Sequence, residues 1–184
     1  KSVFLKTSIP PEATDKLLVD RSKTPEEILN SGKTFKTIAL GFNDFEDVGI
    51  IPDTNLVKWS DGKVFEMNKQ NPFSPHYQIT YKDLNLTEYG ILKITADIFP
   101  IYPFKENPLV FTATFMHKGY AYSYFGKHLD DQMLQVNTWN KVEFYYLTPE
   151  VRKESDPFRT TFWLRGELSV FIDNFKVELY TEEK

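Results

Sequence analysis

The 184-residue chain contains no cysteine, and that absence removes disulfides, thiolate zinc centres and cysteine nucleophiles together. Histidine is scarce: His76, His117 and His128 are too far apart in sequence to pair as a metal motif. No HExxH, P-loop, GxGxxG or GxSxG pattern is found, so zincin, nucleotide-binding and α/β-hydrolase chemistry has no signature here. An excess of positive charge is missing too. With 22 Lys and Arg against 26 Asp and Glu, the net charge of -4 offers no electrostatic footing for nucleic acid or an anionic membrane surface. No apolar run approaches the roughly 18 residues that span a bilayer. The chain opens at Lys1 without a Met or an apolar leader. This predicts a processed or trimmed product; the location expected for the parent protein is exported, periplasmic or cell surface, open to anchoring through a removed N-terminal segment.

What is abundant is aromatic: 10 Tyr, 16 Phe and 3 Trp. These rings fall largely in short runs of period two. Residues 1–33 differ from the rest. Thr24 followed by Pro25, Glu26, Glu27 and, later, Gly32 is an N-capped short helix, with a further turn expected over residues 12–18. The segment is read as an N-terminal extension or linker. From residue 34 to 184 the pattern is that of one β-sandwich domain. Strands are expected at 35–40, 63–67, 76–81, 91–100, 109–116, 120–125, 132–136 and 140–147, with turn residues between them. In 91–100, Leu92, Ile94, Ala96 and Ile98 share one face.

The C-terminal run carries the sharpest signal. Leu168, Val170 and Ile172 share one parity, whereas Phe175, Val177 and Leu179 share the other. A strand changes face only through an extra residue, so a bulge or bend is predicted at Asp173-Asn174. The closing Val170-Phe171-Ile172-Asp173-Asn174-Phe175, the early Phe45-Glu46 followed by Trp59, and Trp139 ahead of Val142 together resemble the galactose-binding-domain-like jelly rolls. That class includes many carbohydrate-binding modules. Tyr146-Leu147-Thr148-Pro149 and Phe162-Trp163-Leu164 also resemble exported or surface domains of Bacteroidetes-type bacteria. The resemblance implies an all-β jelly-roll sandwich, a polysaccharide or oligosaccharide ligand and no catalysis. It further implies a structural calcium ion held by Glu46 and Asp173, with Asp44, Asp47 and Asn174 able to contribute among the six to eight oxygens calcium takes. The residues alone also allow Asp173 to cap the kink through its own backbone.

For a sugar site the sequence offers Tyr120, Tyr122 and Tyr124, alternate residues expected on one strand face opposite Ala121, Ser123 and Phe125. Exposed, such a row would stack pyranose rings; inward, it would be core. Trp59 and Tyr102 are expected as exposed aromatics at a sandwich end, while Trp139 and Trp163 read as core. Two other classes stay open: a structural or protein-interaction domain of a larger cell-envelope protein, and a jelly-roll enzyme acting on polysaccharide.

Overall fold

Alternation of apolar and polar side chains sets the architecture, because a strand packed on one face must bury every second residue. The computed structural model describes residues 19–46, 55–60, 62–86, 89–104, 109–130, 132–150 and 153–183. Among these are ten strands: β1 (Phe35–Asn43), β2 (Leu56–Trp59), β3 (Gly62–Met67), β4 (Tyr77–Thr80), β5 (Ile91–Pro100), β6 (Leu109–His117), β7 (Tyr120–Leu129), β8 (Asn140–Leu147), β9 (Pro157–Leu164) and β10 (Val170–Glu182). Two short helices, α1 (Pro25–Leu29) and α2 (Tyr81–Leu84), complete the set. The expected helical turn over residues 12–18 lies outside the described residues.

The strands form two antiparallel sheets. Sheet A runs β2-β3-β10-β5-β8, with β1 also paired to β10, and sheet B runs β4-β9-β6-β7. From β3 onward the chain crosses between sheets at almost every connection, the jelly-roll habit. The long β10 has β5 along one side and, along the other, β3 at its start and β1 over the remainder.

The core lies between the sheets. Leu92, Ile94, Ala96 and Ile98 of β5 are buried as the pattern predicts, facing Phe111, Ala113 and Phe115 of β6 and Phe158 and Phe162 of β9. The two layers are joined by aromatic stacking. Phe111 of sheet B lies flat on Phe144 of sheet A, centroids 4.1 Å apart and planes 5° from parallel. Phe115 stacks likewise on Tyr146 at 6.2 Å.

The predicted break in β10 is present. Asp173 pairs with Asp97 but Lys176 pairs with Thr95, so one residue too many sits on β10, and Asn174 takes up a φ of 51°. Its N–H donates to Asp173 Oδ1 at 2.7 Å and its Nδ2 to Asp97 Oδ2 at 2.9 Å, which satisfies the polar groups left over by the bulge. The inward face thereby passes from Ile172 to Phe175.

Two local expectations are corrected. Residues 132–136 form turns, not a strand. The Asp130 carbonyl accepts from Met133 and Leu134 N–H, and the Asn140 side chain bonds the backbone of Gln135, Thr138 and Ile98, so side chain-to-backbone bonds displace the ladder. At the end of the strand expected over 76–81, Thr80 caps α2 by accepting from Asp83 N–H, and Tyr81 becomes helical. The N-capped α1 forms as expected, and its Thr24 and Glu27 also bond reciprocally as a capping box. Its Ile28 is buried with Val19, Tyr89 and Ile91 against the edge of the domain.

Phe111→Ala should remove the flat stack on Phe144 and open a void between the layers, costing about 3–5 kcal/mol in denaturant unfolding. A loss below about 1 kcal/mol would show that the two sheets do not depend on this contact.

Candidate functional site

The inward residues of sheet B fix what its other face presents. With Phe158, Thr160, Phe162 and Leu164 buried, β9 must turn Arg159, Thr161 and Trp163 outward. Pairing then lays three rows across the outer face. Gln78, Arg159, Thr114 and Tyr124 form one. Thr161, Thr112 and Gly126 form the next. Phe73, Trp163, Val110 and His128 form the third, Phe73 joining through an isolated bridge to Trp163.

Three aromatic side chains in these rows meet solvent. Tyr124 is 61% exposed, Phe73 54% and Trp163 37%. Trp163 is flanked by Phe73, whose ring is nearly parallel to it at 6.0 Å, and by the Arg165 guanidinium 5.4 Å from its centroid. Tyr124 lies down along its own strand: a Cβ at Gly126 would sit 2.5 Å from the Tyr124 hydroxyl and 2.8 Å from its ring. Only glycine at 126 leaves room for that posture, which turns one ring face to solvent. The Cα positions of Trp163 and Tyr124 are two strands and four residues apart, roughly 16 Å by standard sheet spacings.

Polar groups lie between the rings. Arg159 Nη2 donates to His76 Nδ1 at 3.3 Å, which leaves the His76 proton on Nε2. Burial first, then the Arg159 charge, hold the His76 pKa below the ordinary imidazole value, so the ring is neutral at pH 7. Arg159 Nε has no hydrogen-bond partner among the described residues. Beside this platform, between the β4 side of sheet B and β1 and β10 of sheet A, opens a cleft of about 630 Å³, with Phe73 and His76 in its wall.

The tyrosines named from sequence separate. A bulge in β7 sets Phe115 opposite Ser123 and Met116 opposite Ala121, leaving Tyr122 as the extra residue. Tyr122 is half-buried and packs towards Phe115, 6.3 Å between centroids, while Ser123 turns inward to the Tyr146 hydroxyl at 2.6 Å. The single face expected for Tyr120, Tyr122 and Tyr124 is therefore broken. Tyr120 sits at the hairpin tip, 79% exposed, and Tyr124 alone joins the platform. Trp163, expected in the core, is on the platform because its parity follows Arg159 and Thr161.

Trp59 lies on the opposite side of the molecule. It is half-buried in a ring cluster on the outer face of sheet A, 4.8 Å from Phe99, 4.9 Å from Phe171 and 5.6 Å from Trp139. Tyr102 is exposed in the loop after β5, as expected.

The carboxylates assigned to calcium are committed to the backbone. Glu46 Oε1 accepts from Lys63 N–H at 2.9 Å, Asp44 Oδ1 from Glu46 N–H at 3.3 Å, and Asp173 Oδ1 from Asn174 N–H. No group of three or more acids and imidazoles placed to hold a metal ion is found among the described residues. Asp47 is outside the described residues.

No protein-family model matches the chain, and no curated protein matches it. Among solved structures it is similar to a CBM4 domain (14% identity, TM-score 0.44, 67% of this chain and 76% of that one). It is also similar to the CBM22-1 xylan-binding domain of Paenibacillus barcinonensis Xyn10C (14%, 0.43, 77% and 94%). A third is the arabinose-bound α-L-arabinofuranosidase MgGH51 (8%, 0.40), where 79% of this chain matches 22% of that one.

Asp173 gives a pH test. Burial raises its pKa, the Asn174 N–H works against that, and the negative charges of Asp97, Glu46 and Asp44 raise it further. The folded state therefore holds this proton more tightly than the unfolded chain. The ionised carboxylate destabilises the fold above the folded-state pKa, and stability returns as pH falls through it. Asp173→Asn keeps the Oδ1 acceptor and is expected to raise Tm at pH 7, with the advantage shrinking as pH falls through the raised carboxylate range. An unchanged or lower Tm at pH 7 would contradict this.

Proposed function

We propose that the domain is a non-catalytic glycan-binding module that lays a polysaccharide across the outer face of sheet B. The observation that carries this reading is the trio of exposed rings, Phe73, Trp163 and Tyr124, held on one sheet face with Arg159, His76 and Gln78 among them. Ring faces pack on sugar C–H surfaces, and the polar groups between them bond the hydroxyls. Gly126 leaves the Tyr124 ring room to lie along its strand with a face open to a sugar.

Absence of catalysis is supported by the same rows. They contain no Asp or Glu among the described residues, whereas glycoside hydrolysis ordinarily takes a pair. The reading carries with it an exported location, periplasmic or at the cell surface, where polysaccharide is met. The rival reading, a protein-docking domain, draws on the Trp59, Phe99, Trp139 and Phe171 cluster. Those rings pack against one another, edge or tilt to face, and so leave less ring surface to a partner.

The test is titration of the folded chain with a panel of soluble polysaccharides, comparing wild type with Tyr124→Ala. The variant should bind about tenfold more weakly, the worth of one aromatic contact. Its stability should change by about 0.5 kcal/mol or less, as for exposed positions. Equal binding by the two proteins would remove Tyr124 from the site. Silence of the wild type across the panel would overturn the glycan reading.

A further inference from the structure

The cleft beside the platform has features that the platform does not need. Its volume, about 630 Å³, lies in the range of small-molecule pockets. It is not simply a gap where the sheets part. The Tyr77 ring lies against Gly41, where a Cβ would come within 2.6 Å of it, and the Tyr77 hydroxyl donates to the Leu40 carbonyl at 3.3 Å. That contact ties the two sheets together along the wall of the cleft.

Its chemistry is uniform. Although 26% of the chain is charged, no Asp, Glu, Lys or Arg lines the cleft among the described residues. The one ionisable imidazole, His76, is neutral, because Arg159 donates to its Nδ1. Phe42 and Phe73, both largely exposed, supply ring faces. Asn43, Gln70 and Asn71 supply amides. The Gln70 and Asn71 side chains make no hydrogen bond among the described residues, since the turn that carries them is held by Asn68 and by backbone groups. An uncharged wall of amides and rings suits a ligand that offers several hydroxyls and a C–H face and bears no charge. Phe73 and His76 belong both to the wall and to the platform edge, so the two surfaces are continuous.

We propose that this cleft is a separate pocket for one neutral sugar unit, carried as a branch or as the chain end of the glycan that lies on the platform. A uronate or sulfated unit would have to shed its water there with no cation among the described residues of the wall to replace it. This inference rests on the glycan reading of the platform and adds to it a substrate class, a neutral glycan with side branches or accessible ends.

The experiment compares the wild type, the double variant Gln70→Ala/Asn71→Ala and Tyr124→Ala. Each is titrated with galactomannan and xyloglucan as neutral branched polymers, a linear neutral xylo- or gluco-oligosaccharide series, and polygalacturonate. For the branch, the double variant should lose about tenfold on the branched polymers, the loss of one or two neutral hydrogen bonds, and bind the linear series unchanged. For the chain end, it should lose on the linear series too, most on the shortest members at equal mass. Tyr124→Ala should weaken all neutral ligands. Wild-type binding that the double variant matches throughout overturns the cleft and leaves the platform standing. No wild-type binding to any glycan overturns both, and a cleft-dependent preference for polygalacturonate overturns neutrality. A second readout guards against misfolding of the variant: in wild type, galactose or xylose should shift the side-chain amide resonances of Gln70 and Asn71, and glucuronate should not. Unshifted amides with every neutral monosaccharide overturn the proposal.

Discussion

The flat contact of Phe111 on Phe144 between the two sheets is the constraint on which the rest depends. It joins β6, inside sheet B, to β8, the edge strand of sheet A, and so commits both strands to one inward parity. Once Phe111, Ala113 and Phe115 point in, β9 must bury Phe158, Thr160 and Phe162 to match them. Arg159, Thr161 and Trp163 then have nowhere to go but out. The platform is thus the reverse side of the core. Its geometry is set by the packing behind it.

Bulges decide where that rule is interrupted: one in β10 and one in β7, beside a third at Leu40 in β1. In β10 the extra residue at Asp173-Asn174 lets one long strand serve two stretches of sheet with opposite parities. In β7 the extra residue takes Tyr122 into the edge of the core and leaves Tyr124 outside, lying over Gly126. Like-charge crowding of Asp173 with Asp97, Glu46 and Asp44 accompanies the first bulge. The second puts a single tyrosine, not a row of three, on the outer face of sheet B.

Much of this was legible in the residues. The alternation of β5 and the parity reversal in β10 gave the sandwich and the bulge correctly, because burial on one face leaves little freedom. The Trp163 position was legible too, since Phe158, Phe162 and Leu164 share a parity that Arg159, Thr161 and Trp163 do not. Residue type suggests core for a tryptophan inside a strand, whereas parity places Trp163 on the outer face. The tyrosine row went astray for a different reason. A bulge inside β7 leaves no mark in a run of alternating rings, and only pairing with β6 reveals it. Phe73 and His76 lie in a segment whose partner strand is more than 80 residues away. Their place beside Trp163 and Arg159 follows from the order of strands in sheet B, which local sequence does not carry.

The central claim is that the outer face of sheet B is where a glycan lies. Its most direct test is to map, by NMR on the intact chain, which resonances move as a soluble neutral oligosaccharide is added. The account predicts that the Trp163 indole, the Tyr124 ring and the Arg159 guanidinium shift together and saturate with one affinity. Shifts confined to Trp59, Trp139 and their neighbours on sheet A would contradict it.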